Sequence, residues 1–155
     1  MANARRRQSG FTLVELVATL TIAGILAAAA GPRMFSSTPF AERGYADELA
    51  AALRQARSVA MASGCAVNVA ISSSGYTARQ RRPAGTHCAA TGAWSTPVLR
   101  GDGRPLAGWP PAGANVQAPA TVVFGTDGAL ASGAATVIVG PHVVSIDAGG
   151  WVQQP

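Results

Sequence analysis

The hydrophobic rhythm of the chain changes twice, and each regime predicts a different element. From Phe11 to Ala30 nearly every position is apolar, with Glu15 the single charge. As an α-helix this stretch spans about 30 Å, the hydrocarbon thickness of a bilayer, and it is apolar around most of its circumference. The pattern predicts a membrane-spanning helix over 11–32. Thr12, Thr19 and Thr21 fit such a helix because their hydroxyls can return to backbone carbonyls one turn back. Gly31-Pro32 predicts a break or kink, since proline lacks the N–H and its ring crowds the preceding turn. A short irregular piece, 33–39, is expected to follow.

The second regime runs from Ala41 to Ser63. Leu49, Leu53, Ala56 and Ala60 recur at helical spacing and define one apolar face. Glu42, Arg43, Glu48, Arg54 and Arg57 are expected on the other faces. The alanine-rich content favours helix, and Gly64 stands where a helix of about 41–63 would end.

From Cys65 the period falls to two. Val67, Val69 and Ile71 alternate with Ala66, Asn68 and Ala70, which predicts a strand. Ser72 to Gly75 reads as a turn and Tyr76 to Arg82 as its paired strand. Pro83 to Gly92 reads as a loop, and 93–99 as an edge strand because of Pro97. Arg100 to Ala114 is a Gly/Pro-rich ordered loop, with Leu106 and Trp109 as its expected anchors. Thr121–Phe124, Thr136–Val139, Val143–Ile146 and Trp151–Gln153 complete a series of antiparallel hairpins, punctuated by Asp127-Gly128, Gly140-Pro141 and Gly149-Gly150. The fold class is α+β, a long N-terminal helix followed by a β-rich domain.

Charge adds one point. The net +5 includes Arg5, Arg6 and Arg7, which precede the apolar stretch. A basic segment there keeps its side of the membrane cytoplasmic. If it is removed, nine Arg oppose seven acidic residues and the balance is +2. The high pI is therefore a poor argument for nucleic-acid binding. The two cysteines, Cys65 and Cys88, lie beyond the apolar stretch, where an exported domain would form a disulfide; two separate buried thiols are the alternative. With His87 and His142 they match no zinc spacing, and no metal or other cofactor is expected.

Residues 8–16 read Gln-Ser-Gly-Phe-Thr-Leu-Val-Glu-Leu. The basic leader, Gly10-Phe11-Thr12-Leu13-x-Glu15 and the apolar helix together resemble the N-terminus of type IV prepilins and type II secretion pseudopilins. A secretory signal cut within Ala27–Ala30, and a twin-arginine signal built on Arg6-Arg7, are the competing readings. Neither accounts for Gly10, Phe11 and Glu15 together. The resemblance implies a leader over 1–10, cleavage by a prepilin peptidase between Gly10 and Phe11, and N-methylation of Phe11. It also implies that Glu15 meets the α-ammonium of a neighbour's Phe11 and sets axial register between subunits. The membrane or filament-core helix would then be 11–32, and 33–155 a periplasmic pilin-like domain.

Asp47-Glu48-Leu49 through Leu53-Arg54-Gln55-Ala56-Arg57-Ser58-x-Ala60, and Val123-Phe124-Gly125-Thr126-Asp127-Gly128, are similar to the GspH/FimT type of minor pseudopilin. That resemblance implies a filament subunit of the inner membrane whose partners are the peptidase and other pseudopilins or pilins, in a secretion pseudopilus or a type IV pilus. Some relatives bind DNA through basic residues near the C-terminus, but here 149–155 holds no Arg or Lys. Arg79, Arg81 and Arg82, with Tyr76 nearby, form a different basic stretch, whose plainer role is a solvated strand edge. For catalysis, His87, His142, Asp127, Asp147 and the serines form no nucleophile-elbow or metal motif, and no Gly-rich phosphate loop with Lys occurs. Trp94, Trp109 and Trp151 are expected as core or interface anchors.

Overall fold

The computed structural model describes residues 12–34, 38–84, 87–117 and 120–154. The chain divides into two compact units, Met1–Ser36 and Ser37–Pro155. Gly10 and Phe11 lie outside the described residues.

The first unit contains helix α1, Leu13–Met34. Thr12 is its N-cap: the Glu15 backbone N–H donates to Thr12 Oγ1 at 3.3 Å. Thr12-Leu13-Val14-Glu15 thus has the Thr-x-x-Glu spacing of a capping box, and the Glu15 carboxylate sits in the first turn, where the helix dipole favours negative charge. Thr12 therefore serves as a cap, and the carbonyls one turn before it lie outside the described residues. Thr19 and Thr21 return their hydroxyls, to Leu16 O at 2.9 Å and to Val17 O and Ala18 O at 3.0 and 2.8 Å. The break expected at Gly31-Pro32 is absent, and α1 continues to Met34. A proline so near a helix end costs one intrahelical bond and displaces no long following segment. Among the described residues no helix is long and apolar enough to cross a membrane. The side chains of α1 are described only as far as Leu26.

The second unit opens with α2, Thr38–Ser63, three residues earlier than the periodicity suggested. Pro39 falls in its first turn, where the missing N–H has no intrahelical acceptor to satisfy. Helix thus takes both ends of the piece expected to be irregular, at Arg33-Met34 and at Thr38-Pro39. Tyr45, Ala46, Leu49, Ala50, Ala52, Leu53, Ala56 and Ala60 are buried along one face. Gly64, at φ +63°, ends the helix.

Beneath that face lie two antiparallel sheets and a short hairpin. In the first sheet β1 (Val67–Ser72) is central, between β2 (Gly75–Gln80) and β8 (Thr121–Phe124). The β1–β2 register is Val67↔Gln80 through Ser72↔Gly75, a two-residue hairpin. The outer edge of β2 pairs with β5 (Thr96–Pro97) and with β6 (Ala107–Gly108). Between β2 and β5 in the chain comes the small hairpin of β3 (Pro83–Ala84) and β4 (His87–Cys88). The second sheet has the order β11-β10-β9-β7, with β7 Val116–Gln117, β9 Ala135–Val139, β10 His142–Ile146 and β11 Val152–Gln153.

Val67, Val69, Ile71, Val122, Phe124, Val137, Val139, Val144 and Ile146 form one core with the apolar face of α2, which packs on both sheets. Burying such side chains contributes roughly 1.5–3 kcal/mol each. Two expected elements shrink: the strand from Tyr76 ends at Gln80, and the one at 93–99 reduces to Thr96-Pro97, an edge strand as proline requires. A disulfide joins Cys65 to Cys88 with the Cα atoms 5.6 Å apart, within the normal range, and ties the β3–β4 hairpin to the end of α2.

Candidate functional site

α1 presents its side chains outward on every side. Leu13, Val14, Leu16, Val17, Leu20, Ile22, Ile25 and Leu26 are all exposed. Scattered surface aliphatics are ordinary, but eight on four turns of one helix form an apolar surface that water does not favour. Glu15 is the single carboxylate among them and is exposed as well. Its backbone N–H is held by the Thr12 cap, so the cap fixes the turn from which the carboxylate projects. The geometry is that of an oily rod carrying one acid at its N-terminal end.

On the second unit, three polar residues of α2 that the hydrophobic pattern assigned to solvent instead grip the β layer. Glu42 is buried, 9% exposed, and its Oε1 accepts from the Asn115 N–H at 3.3 Å. The β9–β10 turn closes over it at Gly140, φ +55°, where any Cβ would overlap the Glu42 carboxylate. Halfway along α2, Glu48 Oε1 accepts from the Tyr76 hydroxyl at 2.8 Å and from Arg100 Nη2 at 3.1 Å. The same Arg100 nitrogen lies 3.0 Å from the Tyr76 oxygen and 2.6 Å from Ala107 O. Burial above all, then the bond to Glu48, pushes the Tyr76 phenol well above its ordinary pKa. Neighbouring Tyr45 is raised to about 12, again by burial first and by the Glu48 charge second.

Near the end of α2, Arg57 Nε donates to Gly128 O at 3.1 Å and Nη2 to Gly149 O at 3.4 Å. Its guanidinium lies 4.3 Å from the centre of the Trp151 ring. One side chain thus holds a turn from each sheet. Asp127 and Asp147 set those turns: Asp127 Oδ1 accepts from the Ala129 N–H at 3.0 Å, and Asp147 Oδ1 from the Trp151 N–H at 2.9 Å. Both carboxylates are therefore turn formers.

The other residues singled out in the sequence scatter. Tyr76 is 1% exposed and bonded to Glu48, so it does not join Arg79, Arg81 and Arg82 in a surface patch. Arg81 stacks on Trp94 at 4.4 Å and donates to Ala90 O, while Arg79 and Arg82 are exposed. Of the two side chains expected to anchor the 100–114 loop, Leu106 is buried and Trp109 is 75% exposed. Neither Trp94 nor Trp151 enters the core, because each lies against a guanidinium. Asp127, Asp147 and His142 form no catalytic constellation, and the described residues contain no group of three or more metal-ligating side chains. The Glu42, Glu48 and Arg57 contacts were beyond sequence reasoning: in a helical pattern each looks like a solvated charge. The one available signal was that Gly128, Gly140 and Gly149-Gly150 stand at turns where a helix side chain could approach the backbone.

Comparison with known proteins agrees with this architecture. Residues 5–31 match the family described as prokaryotic N-terminal methylation motif. Residues 45–150, more than half the chain, match the family described as type II transport protein GspH. No curated protein matches the chain. Among solved structures, the type IV minor pilin FimU of Pseudomonas aeruginosa PAO1 is similar in two crystal forms. The first has a TM-score of 0.52 at 22% identity, covering 73% of this chain and 87% of FimU. The second has 0.49 at 20% identity, covering 73% and 91%. The fold is the pilin fold, a helix packed on antiparallel sheets, and the chain belongs to the GspH family.

Proposed function

We propose that this protein is a minor pseudopilin, a structural subunit of the type II secretion pseudopilus that serves protein export across the outer membrane. One observation carries the reading: the eight exposed aliphatics of α1 need lipid before assembly and neighbouring helices after it. The methylation-motif match over 5–31 supports maturation of the usual kind for such subunits. A prepilin peptidase would cleave between Gly10 and Phe11 and methylate the new Phe11 amine. The apolar stretch 11–30 would span the inner membrane with the arginine-rich leader in the cytoplasm and 33–155 in the periplasm. Glu15 then meets the methylated ammonium of an adjacent subunit, and assembly is the state in which both charges are paired.

A second reading is a minor subunit of a type IV pilus. FimU, with which the chain shares its fold, is described as such a minor pilin. Deletion of the gene in its host, with complementation, separates the two. Loss of secreted proteins from the medium with surface pili intact is expected. Normal secretion with lost piliation would move the protein to the pilus. The maturation step is tested independently by mass spectrometry of the native protein: a chain beginning at N-methylated Phe11 is expected, and one beginning near Gly31 would overturn the assembly reading in both forms.

A further inference from the structure

One flank of α2 carries a charge pattern of which the fold uses a single bond, from Arg54. Arg43, Asp47 and Arg54 are all exposed. They lie four and eleven residues apart, within about 40° of one another around the helix. With His142 at the start of β10 and Gln154 they line an open groove of about 590 Å³. Among the described residues the ion pairs are Arg100–Glu48 and Arg104–Asp102, so neither groove arginine has a carboxylate partner. Arg54 spends one bond, Nη2 to Val152 O at 3.3 Å, and the Arg43 side chain makes none among the described residues. Phe40, 80% exposed, lies three residues before Arg43 on α2, and Trp151 lines a second pocket together with Arg54.

The spacing restricts what fits. At about 1.5 Å per residue the charges fall at roughly 0, 6 and 16.5 Å along the helix axis, in the order plus, minus, plus. An extended strand advances about 3.3 Å per residue, so its matching positions would be two and five residues on, and the third would point to the opposite face. A helix meets all three: positions i, i+4 and i+11 share a face when it runs parallel to α2, and i, i+7 and i+11 when it runs antiparallel. A phosphate backbone is disfavoured, because Asp47 stands between the two arginines. We infer that this groove docks a helix of another polypeptide whose facing residues read acidic, basic, acidic at one of those spacings. The inference does not depend on the filament reading.

The test uses the full chain in detergent micelles and designed 20-residue helical peptides. One carries Glu, Arg, Glu at i, i+4, i+11, a second the same at i, i+7, i+11, and inverted controls carry Arg, Glu, Arg. Saturable binding of one acidic–basic–acidic peptide, and not of its inverted control, supports the inference and fixes the direction of the docked helix. Arg43→Glu is expected to weaken that peptide roughly two- to five-fold, the range of an exposed ion pair. Changing the peptide's facing Glu to Arg is then expected to restore the loss. Circular dichroism checks that the variant remains folded, as the absence of Arg43 side-chain bonds among the described residues leads one to expect. No saturable binding up to about 1 mM, equal binding of inverted peptides, or tighter Arg43-dependent binding of a single-stranded oligonucleotide or anionic vesicles would each overturn the inference. Concentration-dependent dimerisation that is lost on Asp47→Asn would do the same, since it would assign the groove to a second copy of this chain.

Discussion

Arg57 Nε lies 3.1 Å from the carbonyl oxygen of Gly128, on the turn that follows β8. The same side chain reaches Gly149 on the turn after β10 and stacks on Trp151. Because β8 and β10 belong to different sheets, α2 joins them through one guanidinium as well as through its apolar face. Arg57→Ala is expected to cost about 1–3 kcal/mol, from two hydrogen bonds to backbone and a cation–π contact. Arg57→Lys should recover only a fraction, since an ammonium cannot fork between two carbonyls and lie flat on the ring. Denaturant titration of the full chain in detergent measures both; an alanine variant as stable as the parent would mean the clasp carries no weight.

The close approach of the same two turns gives a matched pair of glycines. Gly150 and Gly133 both sit at φ +81°. A Cβ at Gly150 would overlap Gly128 O and crowd Arg57, whereas one at Gly133 meets nothing within 4 Å. Gly133→Ala therefore carries only the left-handed backbone strain, about 1–2 kcal/mol. Gly150→Ala carries that strain and must also push the turns apart, so its loss of stability is expected to exceed that of Gly133→Ala by at least about 1 kcal/mol. Equal losses would show that the two turns separate at little cost.

Much of this fold was legible in periodicity, and the residues that were not share one property. Leu49, Leu53, Ala56 and Ala60 announce their burial at helical spacing, and Val67, Val69 and Ile71 at spacing two. β8, Thr121–Phe124, fell on its expected residues because the β-rich run Thr-Val-Val-Phe is followed by Gly125 and the Asp127-Gly128 turn. Glu42, Glu48 and Arg57 look like any charge on the polar flanks of a helix, and only the return of distant turns decides otherwise. The tryptophans, expected as core or interface anchors, stay out of the core for the converse reason: an arginine lies against the rings of Trp94 and Trp151, and Trp109 is left at the surface. At the N-terminus, the motif that suggested an assembly role for Glu15 hid its local one, because Thr-x-x-Glu is also a helix start signal.

Tyr45 and Tyr76 stand side by side, ring centres 6.2 Å apart, with opposite hydrogen-bonding fates. The Tyr76 hydroxyl donates to Glu48, while the buried Tyr45 hydroxyl has no partner among the described residues. Tyr76→Phe is expected to cost about 1.5–3 kcal/mol, as for a bond to a charged group, and Tyr45→Phe to be neutral or mildly stabilising. The pH dependence has a definite sign. Between pH 10 and about 12 the folded state keeps the Tyr45 proton that the unfolded state releases, so stability is complete below pH 10 and falls as pH rises through about 12. Tyr45→Phe should lessen that decline, to which the raised Tyr76 also contributes. Denaturant midpoints across this range, with tyrosinate absorbance as a second readout, check both statements; a Tyr45→Phe variant that declines as steeply as the parent would remove Tyr45 from the account.

Glu15 is asked to do two things, and substitutions separate them. Within α1 it stands three residues after the Thr12 cap, where a Glu or Gln side chain suits a capping box. Between subunits, by the proposal above, its charge meets a neighbour's Phe11 amine. Glu15→Gln keeps a polar carbonyl at the capping position and removes the charge. It should leave the helicity of α1 in detergent unchanged while greatly reducing incorporation into filaments. Thr12→Ala should do the reverse: fray the first turn at a cost of about 1 kcal/mol while leaving the charge pair available, so that assembly is only slightly impaired. Circular dichroism of the full chain and the fraction of subunit recovered in sheared or pelleted filaments read the two effects separately. Filaments that take up Glu15→Gln as readily as the parent would confine Glu15 to capping its own helix.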